Sequence, residues 1–176
     1  MADFVKRRIR DNLHGTIDIN PLEDSVIAHP YFQRLRRVKQ TAFLSYAFPG
    51  ASHTRFEHSL GVMHLAGRAW RKILSNQRRL SEGLHKEPEN KRKANLTESF
   101  KILEKIESNE YSYQVLRLAA LLHDLGHPPL SHTGETLMPT VKEFLRKGQD
   151  VPFYLETLLS SQKQSEKVSH ETYSIS

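Results

Sequence analysis

Five apolar residues, Leu118-Ala119-Ala120-Leu121-Leu122, run directly into His123-Asp124-Leu125-Gly126-His127-Pro128-Pro129-Leu130-Ser131-His132, and this junction constrains the fold more than any other stretch. A carboxylate and an imidazole at the end of an apolar segment are costly to bury alone, so the fold must meet them with a metal ion or a hydrogen-bond network. Gly126, then Pro128 and Pro129, supply a stop that leaves the pair at a helix C-terminus. One histidine near a helix end is ordinarily a cap or a surface group. Three imidazoles and a carboxylate within positions 123–132 are not explained that way. A catalytic divalent ion usually takes at least three protein ligands and keeps a position open, so His123 and Asp124 need a further donor from elsewhere.

That donor is offered upstream, in Ser52-His53-Thr54-Arg55-Phe56-Glu57-His58-Ser59. Thr54 reads as an N-cap, Glu57 stands three residues later as in a capping box, and the helix that follows runs through Trp70 toward Leu74. Arg55 and His58, three apart, share a face, which sets a cation suited to phosphate beside a metal-competent imidazole. Taken alone, Arg55 would be no more than a solvated charge at a helix start.

Together these residues carry a resemblance. Arg55-Phe56-Glu57-His58-Ser59 followed by His123-Asp124-Leu125-Gly126-His127 resembles the HD superfamily of metal-dependent phosphohydrolases, specifically its deoxynucleoside triphosphate triphosphohydrolase (dGTPase-like) branch. Asn12-Leu13-His14-Gly15, the run from Phe32 to Gln40, and Phe48-Pro49-Gly50-Ala51-Ser52-His53 resemble the same branch in order and spacing. The similarity covers residues 5 to 75 and 111 to 135, with a weaker echo at Ser169-His170-Glu171. It implies an all-α helical bundle carrying a small N-terminal β-hairpin. The expected organisation is a single HD domain over 1–176, cut before its last metal ligand, with a mobile insertion at 76–95.

Composition narrows the chemistry further. With no cysteine, thiolate zinc sites and disulfides are excluded, leaving histidine and carboxylate as ligands. No window approaches the roughly 20 apolar residues of a membrane span, so a cytoplasmic protein without membrane contact is expected. A formal charge of +6 favours polyanionic ligands such as nucleotides, although runs such as Arg36-Arg37 and Lys91-Arg92-Lys93 are ordinarily solvated faces.

Along the chain, Val5–Arg10 and Thr16–Ile19 flank His14-Gly15 as a hairpin, closed by Pro21. Helices are expected over Leu22–Ala28 and over Tyr31–Thr41, the latter with Phe32, Leu35 and Val38 on one side. From Phe56 to Gln77 the apolar positions Val62, Leu65, Ala66, Ala69, Ile73 and Leu74 recur at helical spacing. Further helices are expected over 96–108, over Tyr111–Leu125 delivering His123 and Asp124, and over Thr133–Lys147 with Leu137, Val141, Phe144 and Leu145 buried. Phe153–Ser161 and a short segment from His170, capped by Ser169, complete the reading.

The resemblance implies specific roles. His58, His123 and Asp124 are the metal ligands, holding iron, manganese, zinc, nickel or magnesium. The family's fourth ligand is a later aspartate, and none of Glu135, Glu143, Asp150, Glu156, Glu166 or Glu171 stands in its context, so a fragment or a shortened relative is expected. His132 is placed near the α-phosphate as an acid or proton shuttle supported by Glu135, with His127 and His170 as neighbouring phosphate or proton partners. Arg55 meets phosphate and Gln40 the sugar 3′-hydroxyl. Thr41-Ala42-Phe43 departs from the branch's leucine-glycine pattern, which bears on deoxyribose selection. The expected reaction converts a deoxynucleoside triphosphate to deoxynucleoside and tripolyphosphate. The alternatives are another HD phosphohydrolase, such as a nucleotidase or cyclic-nucleotide phosphodiesterase, and a non-catalytic module that binds nucleotide or nucleic acid or oligomerises. By the same resemblance the partners are a nucleotide substrate, a nucleotide effector or single-stranded nucleic acid, and further copies in a homo-oligomer.

Overall fold

The computed structural model describes residues 5–84, 110–146, 157, 159–160, 163 and 165–175. Its elements are strands β1 (Arg7–Asp11) and β2 (Gly15–Ile19), then helices α1 (Pro21–Ala28), α2 (Pro30–Gln33), α3 (Arg55–Leu84), α4 (Glu110–Leu122), α5 (His132–Glu135), α6 (Val141–Arg146) and α7 (His170–Ile175). Short 3₁₀ turns occupy Arg34–Arg37 and Leu44–Tyr46. The chain forms two compact units, Met1–Gly61 with Leu121–Ser176, and Val62–Ala120. Among the described residues, no helix is long and apolar enough to cross a membrane.

The hairpin is antiparallel, with Arg7 opposite Ile19 and Asp11 opposite Gly15. Asp11 makes the reversal by accepting the amides of Leu13 and His14 on Oδ1 at 2.9 and 2.7 Å, and Gly15 takes the left-handed φ of 74°. Alternation does the rest: Ile17 and Ile19 are fully buried, while Thr16 and Asp18 face water. Asn20 caps α1 in a complete capping box with Glu23, and Pro21 takes the first helical turn, where its missing N–H costs nothing. Ile27, Phe32, Leu35, Phe56 and Leu60 are buried in the same unit, with the Phe32 and Phe56 rings edge to face at 5.5 Å. A second cluster joins Val141, Phe144, Leu159 and Val168, against which Leu145 and Tyr173 pack.

In three places the chain departs from its sequence periodicity. The helix expected over Tyr31–Thr41 ends at Gln33, passes through a 3₁₀ turn and is extended by Val38, at φ −100° and ψ 111°. The backbone of this stretch is used elsewhere: the Arg55 amide donates to Val38 O at 2.9 Å and the Gln40 amide to His53 O at 3.2 Å, leaving neither group for a helix. The helix expected over Thr133–Lys147 is, among the described residues, two short ones, α5 and α6, because Pro139 interrupts the ladder and Thr140 restarts it in a box with Glu143; Leu137 is left 85% exposed. Residues 76–84, expected in a loose insertion, continue α3. The remainder of that insertion, the helix expected over 96–108 and most of Phe153–Ser161 lie outside the described residues.

Helix α3 begins as its sequence suggests. The Thr54 amide and hydroxyl both donate to Glu57 Oε2, at 2.6 and 3.0 Å, and the Glu57 amide donates back to Thr54 Oγ1 at 3.4 Å. In the second unit Met63 is fully buried, and Arg71 and Arg117 flank the Tyr113 ring at 5.1 and 5.6 Å. Leu65 and Ile73 are exposed, since a helical period does not say which face will be covered.

Loss of the α3 cap is a direct test of this start. Thr54→Ala is expected to lower unfolding free energy by about 1 kcal/mol in urea titrations, with Thr54→Ser close to the parent.

Candidate metal centre

Helix α4 ends at Leu122, and the next residues turn back on themselves, the Leu125 amide donating to Leu122 O at 2.9 Å and the His127 amide to Asp124 O at 3.2 Å. The helix expected through Leu125 thus ends three residues earlier, and His123 and Asp124 stand just past its last turn, because the Leu125 and His127 amides are spent on this reversal.

Against this corner α3 sets Arg55 and His58. His58 Nε2 lies 3.5 Å from Asp124 Oδ2 and His123 Nε2 lies 3.3 Å from Asp124 Oδ1, with the two imidazole rings 5.3 Å apart. Donor atoms separated by about 3.3 Å suit an ion bound at about 2.1 Å. His58 is held below its ordinary pKa, first by burial, despite the opposing pull of Asp124. A neutral imidazole keeps the lone pair that a ligand needs. Burial by itself would raise the Asp124 carboxyl. A hydrogen bond from His127, the charges of His123 and Arg55 and the Arg55 hydrogen bond outweigh it, holding the group well below the usual carboxylate range. Two imidazoles and an ionised carboxylate with donors so spaced fit a divalent ion that keeps further positions for water or substrate. Among the described residues this set is His58, His123 and Asp124.

Arg55 is placed differently from a solvated charge. It is 1% exposed, donating from Nη1 to Asp124 Oδ2 and from Nη2 to Ser131 Oγ, while its Nε has no hydrogen-bond partner among the described residues. Ser131 Oγ in turn donates to Gln40 O at 3.1 Å. Gln40 thus joins the site by its main chain, and its side-chain Oε1 is buried with no hydrogen-bond partner among the described residues.

The remaining residues singled out in the sequence form a neighbouring cluster. Glu135 Oε1 meets His132 Nδ1 at 2.9 Å, His170 Nδ1 at 2.6 Å and His127 Nδ1 at 3.6 Å. The His127 and His170 rings stack at 3.6 Å. His127 Nε2 stands 3.4 Å from Asp124 Oδ1, so one ring spans both clusters. Burial holds His127 below its ordinary pKa, with the hydrogen bond to Asp124 acting in the opposite sense.

Three positioning residues escaped the sequence reading. Arg34 donates from Nη1 to His127 O at 2.8 Å and from Nη2 to Leu125 O, clasping the motif loop. In the sequence it stood unremarked within the run from Phe32 to Gln40. Ser174 Oγ accepts the Gly126 amide at 2.8 Å and donates to His123 O at 2.9 Å, docking α7 on the same loop. The contact requires Gly126, since a Cβ there would lie 2.1 Å from His170 O. Ser131, with Leu130, adopts positive φ (57° and 69°), which turns its hydroxyl into the Arg55–Gln40 gap.

The family model for the HD domain matches residues 55–174. Deoxynucleoside triphosphate triphosphohydrolase SAMHD1 of Bos taurus is 43% identical over 124 residues, 70% of this chain and 17% of its own length. The Homo sapiens protein of the same description is 41% identical over 124 residues, 70% of this chain and 16% of its own length. An uncharacterized protein of Methanocaldococcus jannaschii, MJ1154, is 36% identical over 139 residues, 79% of this chain and 23% of its own length. The chain thus spans a minor part of these relatives.

Removing the Arg55 guanidinium takes from the buried Asp124 the cation on its Oδ2. Arg55→Met is expected to cost about 3–5 kcal/mol of stability in denaturant titrations, against near-neutral behaviour for an ordinary surface arginine.

Proposed function

The chain belongs to the HD domain family, and from that premise we propose that it forms the core of a metal-dependent phosphohydrolase whose substrate is a deoxynucleoside triphosphate, cleaved to deoxynucleoside and tripolyphosphate. The substrate class is drawn from the triphosphohydrolase relatives. The observation that carries the reading is the convergence of His58, His123 and Asp124 beside a second histidine-carboxylate cluster, joined through His127.

When bound by His58, His123 and Asp124, a divalent ion would polarise a phosphoryl oxygen and lower the pKa of coordinated water. The protein's own groups do the rest. Arg55 keeps Asp124 ionised and fixed in orientation, and its positive charge offsets negative charge developing on a nearby phosphate. His132, whose Nδ1 is engaged by Glu135, presents Nε2 as the nitrogen that gives a proton to the departing deoxynucleoside oxygen. An imidazole suits this because its unperturbed pKa of about 6.5 lies near working pH. Glu135 fixes the ring's orientation, as carboxylates do for catalytic imidazoles. His127 and His170, stacked behind it, confine the phosphate side of the cluster. Gln40 Oε1, buried without a partner among the described residues, supports its role as acceptor for a sugar hydroxyl, because an unsatisfied buried acceptor favours a ligand that brings a donor.

Chromatographic analysis of products from dGTP, GTP and a cyclic nucleotide tests the reaction class. Release of intact tripolyphosphate from the deoxynucleotide is expected; orthophosphate, or cleavage of the cyclic nucleotide alone, would assign the site to a different phosphohydrolase. Asp124→Ala is expected to lose bound metal by elemental analysis and all hydrolysis with it. His132→Ala is expected to retain metal while kcat falls by about 10²–10⁴.

A further inference from the structure

We propose that the exposed face of α3 is a docking surface for another segment of the same chain, residues 96–108, held by apolar contact and opposite charge. Leu65, Arg68, Ala69, Lys72, Ile73 and Asn76 are all exposed. They fall at i, i+3, i+4, i+7, i+8 and i+11, which is one side of a helix. Leu65 and Ile73 on that side are 47% and 53% exposed. It borders a groove of about 920 Å³ lined by Leu65, Arg68, Ala69, Arg71, Lys72 and Ser75, room for several side chains rather than a single ion. Two large aliphatic groups among cations in the middle of a long helix fit a partner helix better than water.

Charge selects the partner. From His58 to Ser81 α3 carries no carboxylate, so Arg68 and Lys72 have no acidic neighbour three or four residues away on their own helix. A second copy of this face would set like charges against each other. A nucleic-acid backbone would meet Arg68 and Lys72 but leave Leu65 and Ile73 uncovered. An acidic helix with an apolar stripe satisfies both.

Segment 96–108 lies outside the described residues, and its sequence has that character. Leu96, Phe100, Leu103 and Ile106 recur at helical spacing. On a helix of this sequence Glu107 falls among them and Glu104 at their edge, whereas Lys101 and Lys105 fall on the opposite side. The connection is long enough: at about 3.3 Å per residue 85–95 reaches roughly 36 Å, against about 29 Å along α3 from Leu65 to Leu84. Positions 65–76 and 96–108 both belong to the unit Val62–Ala120. This docking is independent of the proposed hydrolysis.

Hydrogen exchange of the 176-residue chain, read by mass spectrometry, tests it. The amides of 96–108 are expected to exchange at least about tenfold more slowly than in a free synthetic peptide of the same sequence. Arg68→Glu/Lys72→Glu, at two exposed side chains, is expected to abolish that protection while exchange across β1 and β2 stays at the parent rate. Adding Glu104→Lys/Glu107→Lys to that variant is expected to restore it. Exchange of 96–108 at the free-peptide rate in the parent, protection that survives Arg68→Glu/Lys72→Glu, or no recovery in the fourfold variant overturns the proposal. So does protection that disappears on dilution, which would assign the face to a second copy.

Discussion

The contact between Arg55 and Asp124 is the constraint on which the rest of the site depends. It joins positions 69 residues apart, with both side chains almost wholly withdrawn from water. Burying a carboxylate would ordinarily drive it toward its neutral form, which neither binds a cation nor accepts two imidazoles. The guanidinium and the surrounding histidines reverse that tendency. An ion pair of this kind contributes little net stability compared with apolar packing, and its worth is orientation: a planar fork fixes which carboxylate oxygen faces which histidine. Asp124 Oδ2 takes Arg55 on the side of His58, and Oδ1 faces His123 and His127.

Such a carboxylate is useful only if the loop bearing it cannot drift. The loop from Leu122 to Ser131 has little regular structure, and its polar backbone is satisfied from outside: Arg34 takes the carbonyls of Leu125 and His127, and Ser174 takes the carbonyl of His123 and the amide of Gly126. Two residues with positive φ, Leu130 and Ser131, reverse the chain so that Ser131 meets Arg55. Non-glycine residues in that region each cost on the order of 1–3 kcal/mol, and the Ser131 hydrogen bonds to Arg55 and Gln40 offset part of it. The loop is thus an inserted part held by arginine, serine and glycine rather than by a ladder of its own.

That division explains what the sequence disclosed. The hairpin, the capping box at Thr54 and the short α7 were legible because each follows from local chemistry within a few residues, whereas the capping box at Asn20 was not read and the helix expected through Leu125 ends at Leu122. His58, His123 and Asp124 were proposed together from residue type and family resemblance, and the structure does bring their donor atoms together. Arg34, Ser131 and Ser174 could not be read, since each acts on backbone groups whose position is set by the tertiary fold. The helix expected through Thr41 failed for the same reason: its apolar spacing was helical, but its backbone partners lay at His53 and Arg55. Leu137 misled because a helical period was carried across Pro139, where the ladder breaks.

His127 ties the two clusters together through a limit of its own chemistry. A neutral imidazole has one N–H and one lone pair. Its Nε2 faces Asp124 and its Nδ1 faces Glu135, so giving the proton to one carboxylate turns a lone pair toward the other. The ring is fully buried and stacked on His170, so it cannot escape the choice by rotating into solvent. One buried ring, held in place by stacking, thus faces a carboxylate of each cluster.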